Sequence, residues 1–110
     1  MIELPPNPTM QDYQRYIHEL EDAQGWLEVD LVRSCFLMGE EVGELFKAVR
    51  KVERMFDEQA PAPREAAVAH VGEELVDVLN YLLAIANRLD IDVEAAFRDK
   101  NRLNQTRTWT

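Results

Sequence analysis

Two long stretches, Leu31 to Phe56 and Arg64 to Leu89, constrain this chain most: apolar residues recur in them at helical spacing, and no strand-like alternation appears anywhere. A helix turns about 100° per residue, so Val71, Leu75, Val78, Leu82, Ile85 and Leu89 fall in one row. Leu37, Met38, Leu45, Ala48, Val49 and Val52 form a comparable stripe in the first stretch. Only Gly39 and Gly43 punctuate that stretch before the Gln59-Ala60-Pro61-Ala62-Pro63 hinge ends it. Upstream, Thr9 can cap a helix with Asp12 in its first turn, and Tyr13, Tyr16, Ile17 and Leu20 predict a helix from about Met10 to Gln24, stopped by Gly25. Asp30 and Asp92 are the expected caps of the second helix and of a fourth, which carries Val93, Ala96 and Phe97. The expected class is all-α, an antiparallel bundle of about four helices in a single domain over residues 1–110. Apolar faces this wide on so few helices predict completion by homo-oligomerisation, as a homodimer or dimer of dimers.

Acids outnumber bases 21 to 12, for a formal charge of −9, so the average surface repels a nucleic-acid polymer. The single cysteine, Cys35, has apolar neighbours in Phe36 and Leu37, which predict a packed thiol rather than a nucleophile. The N-terminal residues, with Glu3 and the Pro5-Pro6-Asn7-Pro8 run, lack a signal-peptide pattern, and no segment reads as membrane-spanning. A cytoplasmic protein with no membrane partner is expected.

Some of the acids sit where solvation does not account for them. Glu41 falls inside the apolar stripe of the second helix, and no Lys or Arg lies three or four residues away to compensate its charge. A bound cation is the natural compensation. Glu44 lies at the edge of the same stripe and Glu40 points further off it. Glu74 and Asp77 repeat the three-residue spacing on the third helix, although a solvated polar arc through Glu73, Glu74, Asp77 and Asn80 explains those two equally well. Carboxylate pairs from two antiparallel helices supply hard oxygen donors, which suit Mg²⁺, with Mn²⁺ as a substitute, and point toward phosphate chemistry. Zinc is disfavoured because no Cys/His cluster is present.

Glu40-Glu41-Val42-Gly43-Glu44 followed by Glu74-Leu75-Val76-Asp77 resembles the EExxE…ExxD signature of MazG-like nucleotide pyrophosphohydrolases, an all-α superfamily that includes the dCTP pyrophosphatases. The tail residues Lys100, Asn104, Arg107 and Trp109 are similar to that family's K-x₃-N-x₂-R-x-W ending. The resemblance covers most of the chain and weakens before about Trp26. It implies hydrolysis of a nucleoside triphosphate to monophosphate and pyrophosphate, by attack of a metal-activated water on the α-phosphorus. Under it Glu41, Glu44, Glu74 and Asp77 hold the metal, and Glu40 is a general base, a partner of metal-bound water, or an ordinary exposed glutamate. Lys100 and Arg107 meet the triphosphate and Asn104 hydrogen-bonds substrate or positions them, their bland alternative being a solvated helix end. Tyr81 and Trp26 line a base pocket or serve as core or interface aromatics, while His18 and His70 read as structural. Resemblance to short members leans toward a deoxypyrimidine triphosphate such as dCTP or dUTP.

Two rival readings exist. A di-iron carboxylate bundle needs Glu-x-x-His, and neither Glu41 nor Glu74 has a histidine three residues on. A catalytically silent helical oligomer, acting as a nucleotide-binding regulator or protein-interaction module, is opposed by the intact set of four carboxylates.

Overall fold

The computed structural model of the chain describes residues 1–54 and 63–108. Four helices account for most of them: α1 (Met10–Gln24), α2 (Leu31–Val52), α3 (Arg64–Arg88) and α4 (Val93–Thr106). The all-α expectation holds. Three helix starts follow from local chemistry. Thr9 and Asp12 form a reciprocal capping box at α1, the Asp30 carboxylate accepts from the Arg33 N–H at α2, and the Asp92 carboxylate accepts from the Ala95 N–H at α4. Each such cap contributes about 1 kcal/mol.

Helix α2 stops earlier than its periodicity predicts. Glu53 is its C-cap and Arg54 adopts a left-handed φ of 57°, the conformation that commonly closes a helix. Met55 and Phe56, like most of the Gln59–Pro63 hinge, lie outside the described residues. Glycine does the corresponding work at α1, where Gly25 (φ 75°) lets its own N–H reach the Asp22 carbonyl and the Trp26 N–H reach the Glu21 carbonyl.

The chain divides into two compact units. The first, Met1–Glu28 with Leu83–Thr110, has its core at Ile17, Leu83 and Ala84, with Met10, Tyr16, Leu20 and Val93 packed against them. Burying a side chain the size of Ile17 or Leu83 contributes roughly 1.5–3 kcal/mol. Beside this core Gln14, 8% exposed, joins three segments. Its amide nitrogen donates to Asn87 Oδ1 (3.1 Å) and to the Ile91 carbonyl (2.8 Å), its amide oxygen accepts from the Val93 N–H (3.0 Å), and Asn87 Nδ2 returns a bond to the Gln14 carbonyl (2.8 Å). Next to it Gln11, Asp90 and Asp92 help line an open cleft of about 280 Å³.

The second unit is Val29–Leu82. On α2 the protected row is Ser34, Met38, Glu41, Leu45, Ala48 and Val52, spaced three and four residues apart; Val49, expected in it, is exposed. Cys35 and Phe36 turn the other way, so the expected packed thiol is an exposed one, displaced from the interior by Ser34. On α3 the half-buried row is Ala67, Val71, Glu74, Val78 and Tyr81, whereas Leu75 and Leu82 of the predicted row are exposed. This helix is apolar on several sides, and periodicity alone cannot choose among them.

Candidate metal centre

Residues near the middle of α2 and of α3 converge within the second unit. One carboxylate oxygen from each of Glu41, Glu74 and Asp77 lies within 4.8 Å of the other two. The two protected rows explain this convergence, because Glu41 belongs to one and Glu74 to the other, and Asp77 is one turn beyond Glu74. The polar-arc alternative for Glu74 fails on burial: its side chain is only 12% exposed, and its Oε2 is buried with no hydrogen-bond partner among the described residues.

A buried carboxylate oxygen without a donor is expensive, and three carboxylates so close repel one another. Burial pushes the Glu41 carboxyl above its ordinary value of 4.5, and the charges of Asp77, Glu74, Glu44 and Glu40 push it further in the same direction. Oxygen donors, a buried oxygen without a hydrogen-bond partner among the described residues and mutual repulsion together fit a hard divalent cation. The cluster is therefore able to coordinate one.

The structure places Glu44 and Glu40 outside this trio. Both are exposed on α2, reaching Glu41 through their charge. Tyr81, a turn after Asp77, is half-buried. His70 has more to do than its sequence context suggested: its Nδ1 lies 3.3 Å from Glu73 Oε2 and its Nε2 3.6 Å from Glu74 Oε1. The four-residue spacing of His70 and Glu74 was the available signal.

The remaining predicted site residues belong to the first unit. Lys100 is exposed on α4, and Asn104 donates to Asn101 Oδ1 (3.2 Å) while its own Oδ1 is buried without a hydrogen-bond partner among the described residues. Arg107 is the C-cap of α4, with its N–H on the Asn104 carbonyl, and Trp109 lies outside the described residues. Trp26 stands just past α1 with its side chain about half exposed and its carbonyl accepting from Arg88 Nη2 (2.8 Å).

Residues 35–108, which include this carboxylate cluster, match the model of the MazG nucleotide pyrophosphohydrolase domain. The chain belongs to that family, as the motif resemblance implied. It is similar to dCTP pyrophosphatase 1 of Homo sapiens and of Mus musculus, each 35% identical over 104 residues, 93% of this chain and 60% of the relative. The Bos taurus protein of the same name is 34% identical over 102 residues, 91% of this chain and 59% of the relative. The chain thus spans about 60% of the length of these curated relatives. Among the described residues no helix is long and apolar enough to cross a membrane.

Proposed function

We propose that this chain is a single-domain, Mg²⁺-dependent nucleoside triphosphate pyrophosphohydrolase. It converts a (deoxy)nucleoside triphosphate to the monophosphate and pyrophosphate by attack of water on the α-phosphorus. The observation that carries the reading is the Glu41, Glu74 and Asp77 cluster, in which His70 lies 3.6 Å from one Glu74 oxygen and the other is buried without a hydrogen-bond partner among the described residues. Glu41, Glu74 and Asp77 would hold the cation, with Glu44 completing the set. Bound there, a divalent cation lowers the pKa of a coordinated water and offsets charge on the phosphates. Glu40, exposed beside Glu41, takes the proton from the attacking water.

Lys100 and Arg107 bind the triphosphate, Arg107 through a two-pronged guanidinium and Lys100 as a point charge, and Asn104 orients them. Trp26 and Tyr81 hold the base. The names of the relatives support dCTP as the first substrate to try. A homodimer or dimer of dimers is supported by the apolar side chains of α2 and α3 that stand in solvent, including Phe36, Phe46, Leu75, Val76 and Leu82.

A panel of ribo- and deoxynucleoside triphosphates with and without Mg²⁺, scored for pyrophosphate against orthophosphate, tests the activity. Mg²⁺-dependent pyrophosphate release is expected, and orthophosphate release or no turnover refutes it. Lys100→Ala and Arg107→Ala are expected to lower kcat/KM by about tenfold or more while leaving Mg²⁺ binding intact. Light scattering at micromolar concentration checks the assembly, where a monomer would refute a dimer.

A further inference from the structure

The turn that carries Trp26 is held at both ends of one residue. The Trp26 N–H donates to the Glu21 carbonyl (2.8 Å), and the Trp26 carbonyl accepts from Arg88 Nη2 (2.8 Å). The same Arg88 nitrogen lies 3.8 Å from Glu21 Oε2, so Glu21 supplies the backbone acceptor for one end and the counter-charge that steers the guanidinium toward the other. With its backbone tied at both ends, Trp26 retains mainly its two side-chain torsions, and its indole stays about half exposed.

This arrangement is a poor stability device. The side chains of Glu21 and Arg88 are only 13% and 21% exposed, and Glu21 Oε1 is buried with no hydrogen-bond partner among the described residues. Burial raises the Glu21 carboxyl above its ordinary value against the opposing pull of Arg88 and His18. A partly desolvated ion pair with one oxygen unsatisfied gains little net stability over an apolar replacement. What it supplies is a fixed direction for an exposed aromatic side chain on a turn that would otherwise be ordered only on binding.

We propose that Arg88, oriented by Glu21, is a positioning residue for substrate: it fixes the Trp26 carbonyl and thereby pre-sets the indole that receives the nucleotide base. The proposal rests on the reading of Trp26 as a base contact. Neither Arg88 nor Glu21 touches the substrate; each acts through Trp26. Losing this pre-ordering weakens nucleotide capture and leaves the chemical step alone.

The test uses the full chain and follows dCTP kinetics in Arg88→Ala, Arg88→Lys, Glu21→Gln and Trp26→Ala. Trp26 emission and anisotropy are recorded in a Trp109→Phe background, where Trp26 is the only tryptophan. Arg88→Ala is expected to raise KM about tenfold with kcat within about threefold, to shift Trp26 emission to longer wavelength and to lower its anisotropy. Arg88→Lys, which keeps a cationic donor, recovers most of both signals, and Glu21→Gln moves both in the same direction by less. Should Arg88→Ala not fold, Glu21→Gln and Arg88→Lys decide the matter alone. An unchanged KM, a loss confined to kcat, unchanged emission, or a Trp26→Ala variant with native KM overturns the inference. A wild-type chain that hydrolyses no nucleoside triphosphate overturns the parent reading instead, a result separable from a native-like Arg88→Ala in an active enzyme.

Discussion

Gln14 and Glu74 are both polar side chains drawn away from solvent on long helices, and they differ in what meets them. Gln14 finds three partners for its amide, in Asn87, Ile91 and Val93, within ordinary hydrogen-bond distance. Glu74, with His70 3.6 Å from one oxygen, leaves the other with no partner among the described residues and lies close to two further carboxylates. The first arrangement is complete among the described residues and serves the fold; the second leaves a valence there that a bound cation could meet. Buried polar groups thus separate by their unmet valences into structural and functional ones.

The largest effect that probes this contrast is on turnover. Glu41→Gln keeps the shape and removes one charge, so pyrophosphate release is expected to fall by about a thousandfold or more, with loss of Mg²⁺ stabilisation in thermal melts. The metal-free variant should melt no lower than metal-free wild type. Full activity in this variant would erase the distinction drawn between the two sites.

On the structural side, Gln14→Leu strands the Ile91 carbonyl, the Val93 N–H and Asn87 Oδ1, while Asn87 Nδ2 keeps its bond to the backbone carbonyl of residue 14. Urea unfolding is expected to show a loss of about 3 kcal/mol, with kcat per folded molecule preserved. A neutral result would mean that the Gln14 bonds are replaced by water at no cost.

A pH series sharpens the comparison further. The folded-state pKa of Glu41 is raised, so the folded chain holds a proton that the unfolded chain has already released as pH climbs through and above 4.5. Metal-free wild type should therefore lose stability as pH rises across that window and regain it as pH falls, with Glu21, also raised, adding to the trend. Glu41→Gln should flatten part of the slope, whereas a change at Gln14 should not alter it.

The smallest effect concerns Asp90, which closes α3 with a left-handed φ of 54° and precedes the Ile91 carbonyl used by Gln14. Asp90→Gly removes that strain and is expected to add roughly 0.5 kcal/mol in the same urea assay. A loss instead would show that the Asp90 side chain contributes more than its backbone costs.

Much of this was legible before any coordinates. Helix starts at Thr9, Asp30 and Asp92 were readable because a cap is a contact across three residues, and Glu41 was readable because a charge in an apolar stripe is anomalous on any helix. The protected row of α3 was not, since Val68, Leu75, Val76, Leu79 and Leu82 all remain exposed in the chain, leaving several apolar faces from which to choose. The neighbours Phe36 and Leu37 are a poor guide to Cys35, because helix geometry sends adjacent residues to different sides. The Gln14 node left no local trace, its partners being 73 to 79 residues away.

That separation has a consequence for how the chain assembles during synthesis. The residues of α1 leave the ribosome first, yet Leu83, Asn87, Ile91 and Val93, against which they are satisfied, are translated after the whole of Val29–Leu82. The segment made second can gain its native contacts while the segment made first still waits, with an open Gln14 amide and an unpacked Ile17. Closing so long a loop is entropically slow, and it makes the early helix the late arrival and the stretch most in need of shielding in the nascent chain.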